Sequence, residues 1–296
     1  VARVVCCGEG MLELVRRGAD WKLGYGGDTL NTAIHLARLG HDVAYFTALG
    51  EDDFSERLLE DWRAEGLDTS LVLRHPTRTA GLYGITTDAA GERSFTYWRE
   101  GSAARELFDL ADSEVRQRAI AGCDLFYYSL ISAAILPDNG RIGLLTLADM
   151  VHGEGGQVAF DGNYRPKLWE SVATARGVHD GAIRAADIGL PTLDDEMALS
   201  GAPDADAVAV HWRGLGCAET VVKLGAAGCR LPDGRVIAPE RVLEPVDTSG
   251  AGDAFNAGYL DARLRGVEPA EAAAAAGHAL AGWTILRPGA IPPREG

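Results

Sequence analysis

Positive charge is scarce in this 296-residue chain. Lysine and arginine together number 28, against 43 aspartate and glutamate residues, and the formal net charge is −15. This surplus of negative charge argues against nucleic acid or an anionic membrane surface as a partner, because both would be repelled. An anionic ligand would have to be bound by a few well-placed cations, so each arginine or lysine inside a motif gains importance.

The chain also lacks long apolar runs and any cysteine spacing typical of a metal site. Apolar residues make up 47% of the sequence, yet no run approaches the length of a membrane span. The first seven residues have no basic region, long apolar stretch or cleavage site of a signal peptide. We therefore expect a cytoplasmic protein with no membrane partner and free, buried thiols. Those thiols belong to Cys6, Cys7, Cys123, Cys217 and Cys229.

Two common nucleotide-binding motifs are missing. There is no Walker lysine loop, which excludes a P-loop kinase. A dinucleotide-dependent oxidoreductase would need Gly-x-Gly-x-x-Gly directly after the first strand, and Cys7-Gly8-Glu9-Gly10-Met11 lacks the third glycine.

The most informative segment runs from Asp247 to Phe255. The tripeptide Gly250-Ala251-Gly252 is followed by Asp253 and then by small and apolar residues at helical spacing. Amides at the start of a helix form an anion site, most often for phosphate. A carboxylate beside phosphate repels the ligand unless it has chemistry to perform, such as accepting a proton from an attacking hydroxyl. The alternative is an ordinary loop in which Asp253 stabilises the helix dipole.

Strand and helix patterns alternate along the chain. Short buried strands are expected at Val1–Cys7, Asp42–Leu49, Asp124–Ser129, Gln157–Asp161, Asp187–Leu190 and Glu219–Leu224. Helices are expected at Thr29–Leu39, Phe54–Glu65, Ser113–Ala121, Arg141–His152 and Val172–Ala186. This alternation predicts an α/β fold with right-handed βαβ units on a mostly parallel sheet, in a single domain over residues 1–296.

One segment departs from that alternation. The predicted strands Thr79–Thr87 and Arg93–Arg99 flank Asp88-Ala89-Ala90-Gly91-Glu92, a pattern that indicates a hairpin. Together with Met11–Val15, it would form a small separate sheet.

Side chains on this hairpin limit the chemical class of ligand that could bind. Strand alternation places Phe95, Tyr97 and Arg99 on one face. Tyrosine hydroxyls beside an arginine suit a small polyol that carries a carboxylate. The alternative is a solvated aromatic face with Arg99 as a surface charge.

Farther along the chain, Arg165 follows Asn163 just before a helix start at Pro166. An arginine at this position is well placed to bind a phosphate or a carboxylate. The alternative is that it caps the helix or is a surface charge.

These motifs resemble those of the ribokinase-like (PfkB) carbohydrate kinases. Asp247–Phe255 is similar to the C-terminal signature of that family, and Gly26-Gly27-Asp28-Thr29-Leu30-Asn31 resembles its first sugar-contacting loop. The similarity runs from Val4 to about Pro292. It implies a three-layer α/β/α sandwich with a small β-sheet lid over the sugar, formed by about residues 10–24 and 74–103.

Three segments resemble the 2-keto-3-deoxygluconate kinase branch in particular, among them Tyr97-Trp98-Arg99 and the stretch 163–169. The resemblance implies that ATP phosphorylates the terminal (6-) hydroxyl of this sugar acid. Another sugar (fructose, ribose or the galactonate epimer) and a non-catalytic sugar-acid sensor remain alternatives.

The resemblance also assigns residue roles. Asp253 would be the general base, assisted by the amides of Gly250, Ala251 and Gly252. The sugar would be contacted by Gly26, Gly27, Asn31, Tyr83 and Tyr97. Arg99 and Arg165 would hold the substrate carboxylate and the region of the transferred phosphate.

Nucleotide contacts are implied in a glycine turn at the end of the predicted strand that contains Lys223, where open α/β sheets commonly bind ligands. The residues assigned to the nucleotide are Asn163, Arg165, Lys223, Gly225, Gly228, Gly250 and Gly252. A purely structural turn is an open alternative for Gly228. His278, on an alanine-rich helix, is interpreted as a packed core imidazole.

Many family members carry Asn-x-x-Glu after the fifth strand, linked to magnesium. Here Thr192-Leu193-Asp194-Asp195-Glu196 lacks the asparagine, and either Asp195 or Glu196 is the corresponding acid. Mg²⁺ is still expected, because phosphoryl transfer from ATP requires charge neutralisation. The sequence does not identify its ligands.

The lid predicts a homo-oligomer. Trp98 falls on the face opposite Tyr97 and is a large ring to leave in water. We expect the lid of one chain to rest on its neighbour; the alternative is that Trp98 folds back onto its own domain.

Overall fold

The computed structural model describes residues 1–87, 93–268 and 270–294. Its strands, in chain order, are β1 (Arg3–Cys7), β2 (Met11–Arg17), β3 (Asp20–Gly26), β4 (Asp42–Gly50), β5 (Val72–His75), β6 (Gly81–Thr87), β7 (Arg93–Trp98), β8 (Leu125–Ser129), β9 (Gln157–Asp161), β10 (Ile188–Gly189), β11 (Glu219–Thr220), β12 (Val222–Lys223), β13 (Cys229–Arg230) and β14 (Val236–Ile237).

The α-helices in the described ranges are α1 (Asp28–Arg38), α2 (Asp53–Ala64), α3 (Ser113–Ile120), α4 (Leu130–Ile135), α5 (Asp138–Gly153), α6 (Val172–Arg184), α7 (Leu193–Ser200), α8 (Ala205–Gly214), α9 (Ala251–Leu264) and α10 (Ala270–Ile285). Short 3₁₀ turns occur at Ala103–Glu106, Pro166–Leu168 and Gly225–Ala227. No helix in these ranges combines the length and apolarity needed to cross a bilayer.

A seven-stranded sheet forms the middle of the molecule, in the order β11-β10-β9-β8-β1-β4-β5. Every pairing between its neighbouring strands is parallel. This confirms the predicted fold class. One expected strand was wrong: Glu219–Leu224 is divided. Glu219–Thr220 joins the central sheet, whereas Val222–Lys223 leaves it for a three-stranded antiparallel sheet with β13 and β14.

The core lies on both faces of the central sheet, because alternate residues of each strand point in opposite directions. In β1, Val4 and Cys6 pack on the side of α1, α2 and α9, and Val5 and Cys7 on the side of α5, α6 and α8. The two neighbouring cysteines are therefore in different hydrophobic layers. All five cysteines are buried and free, as expected.

The small sheet has the order β3-β2-β6-β7. Strands β6 and β7 pair antiparallel with Tyr83 opposite Tyr97 and Ile85 opposite Phe95, in agreement with the predicted hairpin strands; the predicted turn at 88–92 lies outside the described residues. The strand β3 was not predicted, because its sequence, DWKLGYG, is largely polar or glycine and its first half is exposed. It pairs along the whole of β2.

Candidate active site

Asp253 lies in the first turn of α9, and α9 begins there because of Gly250. The backbone of Gly250 is left-handed, with φ of 69°, and a Cβ at this position would lie 2.5 Å from the Cβ of Ala290. A side chain is therefore excluded both by conformation and by space. The helix that starts here directs the Asp253 carboxylate inward, where only 9% of the residue is exposed.

The carboxylate of Asp253 is held by the first helix of the chain. Asn31 in α1 donates a hydrogen bond from Nδ2 to Asp253 Oδ2 at 2.8 Å. The next residue, Thr32, donates to the backbone oxygen of Asp253 at 3.2 Å. Two predicted site residues from opposite ends of the sequence, Asn31 and Asp253, are thus in direct contact.

Burial raises the pKa of Asp253 to about 8, and the negative charges of Asp28 and Asp161 add to this effect. The Asn31 hydrogen bond and the Lys223 charge oppose it. A carboxylate with a pKa near neutral pH can accept a proton more effectively than an ordinary aspartate. Asp253 therefore has the properties of a general base.

A buried polar network lies beside Asp253. Lys223 Nζ is 3.1 Å from Asp161 Oδ1 and 3.1 Å from Asn256 Oδ1, and Asn256 Nδ2 donates to Asp161 Oδ2 at 2.8 Å. Sequence reasoning assigned Lys223 but missed Asp161 and Asn256. Both had a signal: Asp161 ends a strand at the carboxyl edge of the sheet, and Asn256 follows Asp253 by three residues on one helix.

An apolar cavity of about 830 Å³ opens on the other side of the α9 start. Its walls come from the segment 238–245, from α10 and from the β12–β13 turn. Of the predicted nucleotide and anion contacts, its lining includes Lys223, Gly225, Gly228, Ala251 and Gly252. The cavity lining is mostly apolar, and Lys223 and Gly252 bring one part of it close to Asp253.

Three predicted nucleotide contacts are not among the residues that line this cavity. Gly250 lies behind it, against Ala290. Asn163 donates to Asp28 Oδ2 at 3.2 Å, and Arg165 pairs with Asp195. His278, which was interpreted as a core imidazole, is half-buried in the cavity wall and bonds to the carbonyl of Ile237 at 3.0 Å.

The expected sugar loop connects the small sheet to the first helix, since Gly26 ends β3 and Asp28 begins α1. Gly27 approaches the first strand so closely that a Cβ would lie 2.2 Å from the Glu9 carbonyl oxygen. Gly26 has no room for a side chain either, because the Tyr83 hydroxyl occupies that space. This hydroxyl donates to Glu13 Oε2 at 2.5 Å. Burial raises the pKa of Tyr83, so the hydroxyl keeps its proton.

Arg99 is buried and forms an ion pair with Glu9, a residue that the sequence reasoning missed. Its guanidinium carbon lies 5.7 Å from the centre of the Tyr97 ring, and Tyr97 stacks on Phe95. The alternative of a surface charge for Arg99 is therefore wrong. Within the described residues, Glu9 Oε1 and Arg99 Nε have no hydrogen-bond partner.

Arg165 is the more accessible of the two predicted arginines. Its side chain is 50% exposed, and Nη1 forms an ion pair with Asp195 Oδ1 at 3.1 Å. This contact distinguishes Asp195 from Glu196, the two candidates for the acid of the family motif. Asp195 faces Arg165, whereas Glu196 is buried and bonds to His179.

The fold and the site together suit a small-molecule phosphotransferase. A buried carboxylate at a glycine helix start lies beside an apolar cavity and close enough to Tyr83 of the small sheet for their charges to interact. The family model described as pfkB family carbohydrate kinase matches residues 3–295. The chain belongs to this family of carbohydrate kinases.

Named relatives are similar over nearly their full length. The chain is 43% identical over 303 residues to the 2-dehydro-3-deoxygluconokinase of Escherichia coli K12, covering 99% of this chain and 98% of that protein. It is 42% identical over 306 residues to the 2-dehydro-3-deoxygluconokinase of Dickeya dadantii, covering 99% and 97%. Among solved structures, the aminoimidazole riboside kinase of Salmonella enterica, complexed with aminoimidazole riboside and an ATP analog, superposes with a TM-score of 0.83 at 25% identity, covering 98% and 95%.

Proposed function

We propose that this protein transfers the γ-phosphate of ATP to the terminal (6-) hydroxyl of 2-keto-3-deoxygluconate, also called 2-dehydro-3-deoxygluconate. The observation that carries the proposal is Asp253, a buried carboxylate with a pKa raised to about 8, directly behind the Gly250-Ala251-Gly252 helix start. The names of the relatives above 40% identity support the choice of substrate.

Asp253 accepts the proton of the sugar hydroxyl as that oxygen attacks phosphorus. The amides of Gly250 and Gly252 stabilise the charge of the phosphoryl group in transfer, with the helix dipole adding to the effect. The Ala251 amide, which was expected to share this role, donates to the Thr248 carbonyl at 3.3 Å and would have to exchange that bond. Asn31 holds the carboxylate in place through its 2.8 Å hydrogen bond. Positioning and electrostatic stabilisation supply most of the catalysis in this type of reaction.

The adenine fits the apolar part of the 830 Å³ cavity, between α10 and the segment 238–245, with His278 in its wall. The triphosphate extends toward Gly225, Lys223 and Gly252 at the charged end. This direction brings the γ-phosphate to Asp253. A ligand volume of several hundred Å³ is typical of such sites.

The carboxylate of the sugar acid is bound by Arg165, which is exposed enough to exchange part of its contact with Asp195 for the substrate. Arg99 contributes through its unpartnered Nε, while Glu9 Oε1 accepts from a sugar hydroxyl. Gly26, Gly27, Tyr83 and Tyr97 shape the pocket around the carbon chain.

The residues present fit a magnesium ion carried by the nucleotide. Asp195 and Asp161 are close enough for their charges to interact, and burial raises the pKa of Asp195. Hard oxygen donors of this kind suit Mg²⁺, which keeps most of its waters. When bound, the ion neutralises phosphate charge; Asp161 and Asp195 would orient its water shell.

Sugar selectivity tests this function. ADP formation from Mg-ATP is measured with 2-keto-3-deoxygluconate, its galactonate epimer, fructose and ribose at equal concentrations, for the wild type and Asp253→Asn. We expect the keto-deoxy acids to exceed the neutral sugars by ten- to a hundredfold in kcat/KM, the value of a charge-assisted contact. Equal efficiency on fructose or ribose would reject the acid substrate, and no ADP with any sugar would favour a sensor.

We also propose that the protein is a cytoplasmic homo-oligomer built through the lid. Trp98 is 58% exposed and Trp21 is 52% exposed, which leaves large rings of the small sheet in water. Five free thiols suit a reducing compartment. Light scattering of the wild type and Trp98→Glu tests the assembly: a wild type that is monomeric at micromolar concentration contradicts it.

A further inference from the structure

A second cluster of titratable side chains lies away from Asp253, where side chains of α6 and α8 meet. His179 and Asp180 come from α6 and His211 comes from α8, and one possible ligand atom of each lies within 4.8 Å of the others. None of the three lines the cavity beside α9. Two imidazoles and a carboxylate are a donor set typical of zinc.

His179 is fixed in the orientation that metal binding requires. Its side chain is 2% exposed, and its ring packs against Phe160 and Trp212 with centroids 5.9 and 5.4 Å away. Its Nε2 lies 2.9 Å from Glu196 Oε1. A carboxylate only accepts hydrogen bonds, so Nε2 carries a proton and Nδ1 is left as the free donor atom.

Nδ1 of His179 points toward Asp180 without bonding to it. The distance from Nδ1 to Asp180 Oδ1 is 3.9 Å, and among the described residues this nitrogen has no hydrogen-bond partner. His211 Nε2 reaches the same Asp180 oxygen at 3.0 Å. Zinc bonds to nitrogen and oxygen are about 2.0–2.2 Å long, so small shifts of the partly exposed Asp180 and the exposed His211 would bring all three atoms onto one ion.

The buried carboxylate behind His179 provides a second, independent observation. Glu196 is 1% exposed, and its Oε2 has no hydrogen-bond partner in the part of the chain that the structure describes. A buried charge with an unsatisfied oxygen is costly. A cation on Nδ1 would increase the acidity of the Nε2 proton and so strengthen the bond to Glu196. Carboxylate–histidine–zinc arrangements work in this way.

We propose that His179, Asp180 and His211 form a zinc site, with water in the fourth position and Glu196 as the positioning residue for His179. The site is separate from the magnesium that accompanies the nucleotide, since its imidazole donors are poor ligands for Mg²⁺.

The test is a Zn²⁺ titration of the full chain, without nucleotide, by calorimetry or by competition with a chromogenic chelator. The wild type is compared with His211→Ala and with the matched control His152→Ala. His152 is a similarly exposed histidine paired with a single carboxylate, Asp187, at 2.7 Å. We expect one Zn²⁺ per wild-type chain, the same for His152→Ala, and at least about tenfold weaker binding for His211→Ala.

Two further measurements separate a zinc site from a structural role. Glu196→Gln should also weaken zinc binding by about tenfold or more while circular dichroism shows the native fold. Co²⁺ should give the visible absorption of a nitrogen- and oxygen-bound ion in the wild type but not in His211→Ala. Equal Zn²⁺ affinity of the wild type and His211→Ala, or no binding at about 0.1 mM Zn²⁺, would overturn the proposal.

Discussion

The two sides of the reaction centre are built differently. On the α9 side, Asp253, Lys223, Asp161 and Asn256 are all buried, and the last three are hydrogen-bonded to one another. On the lid side, Phe95 and Tyr97 are about half exposed, at 45% and 51%, and belong to a four-stranded sheet with a small cluster of its own. The proposed site of phosphate transfer is thus in the core, whereas the residues proposed to select the sugar belong to a thin, partly exposed sheet.

Arg99 is the exception on the lid side, because its ion pair with Glu9 ties the end of β7 to the end of β1. Arg165, by contrast, stays half exposed. One of the two arginines is therefore buried and the other is accessible. Changes on the α9 side should abolish turnover or stability, and changes on the lid side should alter selectivity.

The largest effect is expected from Asp253→Asn, which keeps size and the Asn31 contact but removes the base. Turnover with saturating ATP and sugar should fall by roughly a hundredfold or more. Steady-state kinetics measures this fall in turnover, and Asp233→Asn, at an exposed position, is the control. Wild-type turnover in Asp253→Asn would show that another group takes the proton.

Lys223→Ala should cost about 3–5 kcal/mol of unfolding free energy, because it leaves Asp161 buried without its counter-charge. Urea denaturation checks this value. Lys22→Ala, at an exposed position of β3, should be nearly neutral. If Lys223→Ala and Lys22→Ala have the same free energy of unfolding, the Lys223 network does not stabilise the α9 side.

Arg165→Ala should raise KM for the sugar acid by about ten- to a hundredfold with little loss of stability, since a charge-assisted contact contributes about 1.5–3 kcal/mol. Arg99→Ala should also raise KM for the sugar acid. It should in addition lower the melting temperature, because Glu9 would be left buried and unpaired. Arg118→Ala, on the exposed face of α3, is the control. A stable Arg99→Ala variant would remove the contrast drawn between the two arginines.

The last prediction concerns pH. Asp253 acts when deprotonated, so kcat/KM should rise about tenfold per pH unit below its pKa of about 8 and level off above it. The pKa is raised in the folded state, which means that folding favours the protonated form. The associated stability is present below about pH 4 and is lost as pH rises toward 8.

At pH 8–9, the free energy of unfolding of Asp253→Asn should therefore exceed that of the wild type by at least about 1 kcal/mol. The variant should accordingly unfold at a higher temperature. Differential scanning calorimetry at pH 5 and pH 9 measures the difference. If the difference in unfolding temperature between the two proteins is the same at pH 5 and pH 9, burial does not raise the pKa of the Asp253 carboxylate.

Features encoded in contiguous residues were accessible from the sequence. The glycine helix start at Gly250–Gly252, the carboxylate after it, and the hairpin strands around 81–98 follow from local spacing. The separation of Val222–Lys223 from the main sheet was not, because a buried apolar run continues across the boundary and only pairing partners decide where a strand belongs.

Contacts between distant residues were equally hidden. Glu9 and Arg99 are 90 residues apart, and Asn31 and Asp253 are 222 residues apart. Both members of the second pair were predicted as site residues, but their hydrogen bond was not. Glu9 looked like part of a failed dinucleotide motif and had no other local signal.

The sequence by itself determined the class of fold and the carboxylate directly after a glycine helix start, because these depend on periodicity and local backbone demands. Tertiary structure alone decided which carboxylate pairs with Arg165, Asp195 or Glu196, which arginine is buried, and how far the pKa of Asp253 is raised above that of an ordinary aspartate. Those properties arise from burial and from charges that only the folded chain brings together.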